Sequence, residues 1–205
     1  MDTVSIFYTK IKSLNQFDLN YIVEQLGDSD KLKLKNLKGK RTIQFLTGRT
    51  LLKKGIEILG LDNKLHELEF TDNTKPFFKN NISFSISHSN EIVCCALTNN
   101  RIQLGIDVEY HQARKINISS RFFTDKEMGE IQMNEILIYD FWTKKESIVK
   151  ACSANVFHMN KIECLEKTIN YKNHIWFPYR LNLSQGYTTS LVADKHILIK
   201  QILVD

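Results

Sequence analysis

The apolar pattern of this 205-residue chain changes period along its length, and that change limits the folds open to it. Ser5 to Tyr8 reads as a short strand, followed by a helical pattern to about Leu26 and another from Asp30 to Leu59 that breaks near Gly60. Ile82-Ser-Phe-Ser-Ile-Ser87 then alternates apolar and polar as a half-buried strand does, and Ile92 to Leu97 reads as a more fully buried one. With a turn at Asn99-Asn100 and a third strand over Leu104 to Tyr110, this stretch predicts an antiparallel meander. Helical spacing returns over Thr124 to Gln132 and Ile136 to Cys152, and strand patterns follow over residues 175–183, 188–193 and 196–203. The expectation is an α+β chain of two similar halves, residues 1–101 and 102–205, with strands completing the second half.

Composition narrows the class. A 42% hydrophobic content and two prolines support a packed core rather than disorder. The formal charge of +5 is modest, and much of it lies in Lys31-Leu-Lys-Leu-Lys-Asn-Leu-Lys-Gly-Lys-Arg41, whose leucines suggest a helix with one buried stripe. The four cysteines form no CxxC pair and read as buried thiols in a reducing compartment. No leader-like or membrane-length apolar run is visible, which predicts a cytoplasmic protein without membrane contact. Nothing resembles a DNA-binding motif, so nucleic acid is not expected as a partner.

Three segments carry candidate chemistry. Strand alternation puts Asp107 and Glu109 on one face, roughly 7 Å apart along the strand. There they can grip one hard cation or simply form the acidic side of a solvent-facing strand. On the helix Tyr139 to Lys150, steps of four align Trp142, Glu146 and Lys150. Glu146 with Lys150 is either an ordinary surface pair or a metal ligand beside a cation for a phosphate. Thr124 and Glu127 have the spacing of a helix capping box, which competes with a catalytic use of Glu127. His88, at a strand end beside Ser87 and Ser89, is either structural or a phosphate donor. No G-x-S-x-G hydrolase elbow is present.

Taken in order, Gly48-Arg-Thr-Leu-Leu52, Lys75-Pro-Phe77, Phe84-Ser-Ile-Ser-His-Ser89, Gly105-Ile-Asp-Val-Glu109, Phe122-Phe-Thr-Asp-Lys-Glu127 and Trp142-Thr-Lys-Lys-Glu-Ser-Ile-Val-Lys150 closely resemble the Sfp-type 4′-phosphopantetheinyl transferases. The resemblance spans roughly residues 35–150. It implies a pseudo-dimer of two α/β halves with coenzyme A and Mg²⁺, or Mn²⁺ in its place, in the cleft between them. It also implies transfer of the phosphopantetheine arm to a serine of an acyl, peptidyl or aryl carrier protein, with release of adenosine 3′,5′-bisphosphate.

Carried over by residue, Asp107, Glu109 and Glu146 look like the metal ligands, and Lys150 looks like the contact to the pyrophosphate. Glu146, Glu127 or a metal-bound water takes the serine proton, with Glu146 preferred. Lys35 and Lys38 correspond to a pair on the coenzyme's 3′-phosphate, joined by Thr50, with Arg41 and Arg49 as neighbours. Lys75 corresponds to a residue near the adenine, and Ser87 and His88 to residues at the adenosine and α-phosphate end. The chain departs from the family at Thr74, where glycine commonly precedes Lys-Pro, and after Lys150, where glycines are common. With both halves in one chain, a monomer is expected. The rival readings are a non-catalytic coenzyme A or carrier-protein binding module and a metal-dependent phosphoesterase.

Overall fold

The computed structural model describes residues 1–11, 16–71, 75–111 and 120–204, so Thr74 lies outside the described residues. The chain separates into two compact units, one of residues 2–101 with 198–205 and one of 102–197 with Met1.

In the first unit, β1 (Asp2–Lys10) is followed by α1 (Gln16–Gln25), α2 (Asp28–Lys35) and α3 (Lys40–Ile58). Two short strands, β2 (Glu69–Phe70) and β3 (Pro76–Phe77), form a small ladder before the hairpin of β4 (Ser83–Ser89) and β5 (Ile92–Thr98). The predicted long helix from Asp30 is thus two helices, broken before Gly39, whose φ of +56° is one that L side chains rarely adopt. The 19-residue α3 runs close to the sheet because Gly48 and Gly55, about two turns apart, share the inward face. A Cβ on Gly48 would meet Ile86 Cγ2 at 2.9 Å, and one on Gly55 would meet the Phe7 ring at 2.8 Å. Around this contact Phe7, Leu51, Leu52, Val93, Cys95 and Leu97 form a fully closed core.

The second unit holds β6 (Leu104–Tyr110), α4 (Asp125–Met133), α5 (Leu137–Cys152) and the strands β7 (Ile169–Tyr171), β8 (His174–Leu181) and β9 (Tyr187–Ala193). Its core closes over Trp176, with Ile148, Met159, Ile162, Ile169 and Val192.

Each unit contains the same three-strand arrangement. In the first, β5 lies between β1 and β4; in the second, β9 lies between β6 and β8, with all these pairings antiparallel. In both, a long helix follows the first strand in sequence and packs on the sheet, α3 on β1 and β5, α5 on β6 and β9. The mixed α+β class read from the sequence is therefore present, and the repeat is one of connectivity.

Two expectations fail on strand pairing. The meander stops at β5, because β1 occupies the free side of β5 in the register Ser5 to Leu97 through Lys10 to Ile92, and β6 pairs with β9 instead. The last strand, β10 (Ile197–Leu203), does not complete the second sheet; it lies beside β1 at the edge of the first. Strand alternation reports which face is buried and is silent on which edge a strand joins. Among the described residues, no helix is long and apolar enough to cross a membrane.

Candidate active site

Gly105 sets the geometry of the β6–α5 contact. A Cβ there would fall 2.0 Å from the Ser147 carbonyl oxygen and 2.8 Å from the Ala151 nitrogen, so only glycine lets α5 lie this close. Small polar side chains fasten the helix to the neighbouring strand. The Ser147 hydroxyl donates to the Ser190 carbonyl at 2.9 Å, and Thr143 Oγ1 lies 2.8 Å from Ser190 Oγ.

Gly105, Asp107 and Glu109 share one face of β6, and α5 covers that face. Asp107 is buried and Glu109 half-buried, so the solvent-facing reading of this acidic strand does not hold. Lys150 reaches across from α5, donating to Asp107 Oδ1 at 2.6 Å and to the Ile106 carbonyl at 3.2 Å. Glu146, one turn earlier, feels the same charges. Burial, then Asp107, and more weakly Glu109 push its carboxyl pKa up to about 7 against the opposing pull of Lys150. The sequence-predicted quartet of Asp107, Glu109, Glu146 and Lys150 thus acts as one electrostatic group.

Three carboxylates against one ammonium leave an excess of negative charge on hard oxygen donors, the chemistry that suits Mg²⁺ or Mn²⁺. Among the described residues, no three His, Cys, Asp or Glu side chains are already gathered to hold a metal ion. The donor set fits a hard cation by type and charge, while Lys150 supplies the positive charge beside Asp107.

Glu127 occupies a different environment. It is fully buried, and its Oε2 accepts from the Thr124 backbone N–H at 2.9 Å while the Thr124 hydroxyl accepts from the Glu127 N–H at 3.3 Å. The other oxygen accepts from the Cys164 N–H at 2.8 Å, and Lys145 Nζ lies 2.7 Å from Oε2. Lys145 is itself fully buried and also donates to the Met159 carbonyl at 3.0 Å and to the Ile162 carbonyl. The capping box expected at Thr124 is present, and the carboxylate is sealed inside it. Sequence reasoning passed over Lys145, although its place four residues after Phe141 and three before Ile148 put a lysine on the apolar face of α5.

The predicted coenzyme residues divide by exposure. Lys35, Lys38, Arg41 and His88 are exposed, and Lys75, just before β3, is half-buried. Ser87 is buried on β4. Arg49 and Thr50 are turned inward: Arg49 Nε and Nη2 grip the two Asp30 oxygens at 2.5 and 2.8 Å, and Thr50 Oγ1 donates to the Leu46 carbonyl at 3.0 Å. Both side chains are buried in this arrangement, their polar atoms engaged within the first unit. The thiols expected to be buried are so at Cys94, Cys95 and Cys164, while Cys152 is partly exposed. Burial pushes the Cys164 thiol up to about 12, well clear of reactivity at neutral pH.

The α+β chain carries an acidic, lysine-flanked group on one strand–helix contact, a charge arrangement of the kind that suits phosphate bound beside a hard cation. Comparison with known proteins specifies the family. Residues 103–192 match the model of the 4′-phosphopantetheinyl transferase superfamily. The 4′-phosphopantetheinyl transferase gsp of Aneurinibacillus migulanus is 31% identical over 166 residues, covering 74% of this chain and 68% of that protein. The 4′-phosphopantetheinyl transferase HetI of Nostoc sp. is 26% identical over 133 residues, 58% of this chain and 56% of its own length. A 4′-phosphopantetheinyl transferase of Bacillus subtilis is 35% identical over 72 residues, 33% of this chain and 31% of its own. The chain belongs to the 4′-phosphopantetheinyl transferase superfamily, and it is an enzyme of that class.

Proposed function

We propose that the chain moves the 4′-phosphopantetheine arm of coenzyme A onto a serine of an acyl, peptidyl or aryl carrier protein and releases adenosine 3′,5′-bisphosphate. The observation that carries this reading is the shared field of Asp107, Glu109, Glu146 and Lys150 on the β6–α5 contact. Asp107, Glu109 and Glu146 would hold Mg²⁺, with Mn²⁺ as the alternative. Such an ion, when bound, neutralises pyrophosphate charge and eases departure of the bisphosphate.

Lys150 brings a second positive charge to the same oxygens. The serine Oγ–P bond forms as the bridging P–O bond of the pyrophosphate breaks, and the serine proton passes to Glu146, directly or through water. Glu127 stays outside the chemistry, since its oxygens are committed to Lys145, Thr124 and Cys164.

On the coenzyme side, Lys35, Lys38 and Arg41 take the 3′-phosphate, Lys75 lies near the adenine, and Ser87 and His88 meet the adenosine and α-phosphate end. The start of α3 supports a phosphate there. Its N-cap, Gly39, has no side-chain cap, and its first turn is basic, with Lys40 and Arg41 and no acidic residue. Positive charge at a helix N-terminus is unfavourable by itself, and an anion would answer both the charge and the open N–H groups. We read the protein as a cytoplasmic monomer of the Sfp type.

Intact mass spectrometry of apo carrier proteins incubated with the enzyme, coenzyme A and Mg²⁺ tests the reading. A phosphopantetheine-sized gain that is lost with Glu146→Ala supports it. Phosphate or pantetheine release without carrier would point to a phosphoesterase, and coenzyme A binding with no gain on any carrier to a binding module.

A further inference from the structure

Helix α2 is an unusual element. It carries Lys31, Lys33 and Lys35, all exposed, and its one buried residue is an aspartate, Asp30, only 1% exposed. Leu34 is half-buried against the core, and Leu32 is exposed, so the leucine stripe expected from the sequence supplies little packing. Asp30 meets Arg49 of α3 in a two-pronged ion pair, and the Arg49 guanidinium also lies 4.9 Å from the centre of the Phe45 ring. Arg49 is 4% exposed, so solvent does not weaken the pair as it does on a surface.

We infer that the Asp30–Arg49 pair is a positioning device. It pins the basic helix to α3 so that Lys35 and the following Lys38 present a fixed charge array for the coenzyme's 3′-phosphate. This deepens the proposed coenzyme reading and rests on it. Without the pair, the apolar anchorage of α2 to the core cluster rests on Leu34, and a short polar helix with so little apolar burial frays. Arg49 therefore acts on the phosphate through Asp30 and α2, without touching it.

The experiment uses the full-length enzyme with Arg49→Met, Arg49→Lys and Asp30→Asn, each checked by circular dichroism. Two readouts are taken: the rate of trypsin cleavage across Lys31 to Arg41, and the ratio of KM for coenzyme A to KM for dephospho-coenzyme A. Arg49→Met is expected to speed cleavage and raise the ratio on the order of tenfold, the size of one lost charge-assisted contact. Arg49→Lys, which keeps the charge and loses the fork, should fall between it and the wild type.

If Arg49→Met does not fold, Arg49→Lys and Asp30→Asn carry the same comparison. Unchanged cleavage in folded variants would overturn the anchor. Faster cleavage with an unchanged ratio, in an enzyme whose wild type discriminates the two coenzymes, would overturn the link to the phosphate. A wild type that does not discriminate them would sink the 3′-phosphate reading itself, while the cleavage rates still decide the anchor.

Discussion

Lys150 Nζ lies 2.6 Å from Asp107 Oδ1, joining the last full turn of a helix to the middle of a strand 43 residues earlier. The pair exists because Gly105 has no side chain. The same close approach brings Glu146 under the influence of Asp107 and Glu109 and turns three separated acids into one group.

Removing Asp107 should therefore cost more than one ligand. Asp107→Ala takes away a hard oxygen donor and leaves Lys150 without its carboxylate partner. Transfer to carrier protein is expected to fall at least ~100-fold, the upper range for disturbed metal-site partners, with the loss steepest at limiting Mg²⁺. Near-normal rates at low Mg²⁺ would take Asp107 out of the ligand set.

The pH behaviour of Glu146 has a defined sign. Its folded pKa is raised from 4.5 to about 7, so between those values the folded protein binds more protons than the unfolded chain. This group's contribution to stability is fully present below pH 4.5 and is lost as pH rises through 7. Carboxyl NMR of the metal-free protein should show a midpoint near 7 that drops in Asp107→Asn, because that change removes the largest charge raising it. Mg²⁺ should lower the midpoint too and release protons near pH 6.5; no release would argue against Glu146 as a ligand.

Gly105→Ala tests the close packing. Its Cβ would sit 2.0 Å from backbone oxygen that cannot rotate away, so α5 must move off β6. Overpacking of this kind costs typically ~1–3 kcal/mol, and more is expected here because the obstacle is backbone. Thermal denaturation should register the loss, and activity of the fraction that remains folded should fall with the Lys150–Asp107 contact.

Glu127→Gln separates structure from chemistry. It leaves the Lys145 ammonium buried without its ion partner, a change that destabilises by about 3–5 kcal/mol. In a protein of this size that is a Tm drop of roughly 10 °C. Turnover per folded molecule, measured well below the new Tm, should stay within severalfold of wild type. A thousandfold loss of kcat at unchanged Tm would return Glu127 to the catalytic set.

Lys38→Ala should weaken coenzyme A more than dephospho-coenzyme A, because the proposed reading gives its exposed ammonium the 3′-phosphate as partner. Equal losses for the two, measured by calorimetry, would move Lys38 elsewhere.

Much of this was written in local pattern. β4, β5, β6, α4 and α5 sit close to where periodicity and capping put them, because each buries one face and the spacing of apolar residues reports that face directly. Asp107 with Glu109, and Glu146 with Lys150, were visible as pairs sharing a strand face or a helix face. The capping box at Thr124 was equally plain, since all its parts lie within one turn.

What the sequence by itself determined is the set of elements, the acidic pairs and the family signature that joins them. What only the tertiary structure decided is which edges pair and which charges are used inward. β10 left its expected sheet for β1, Arg49 turned out to face Asp30, 19 residues away, and Glu127 and Lys145 to face each other across 18. Such pairings depend on close approach of separate elements, and the energy of a buried charge depends on what surrounds it in space, which spacing along the chain does not encode.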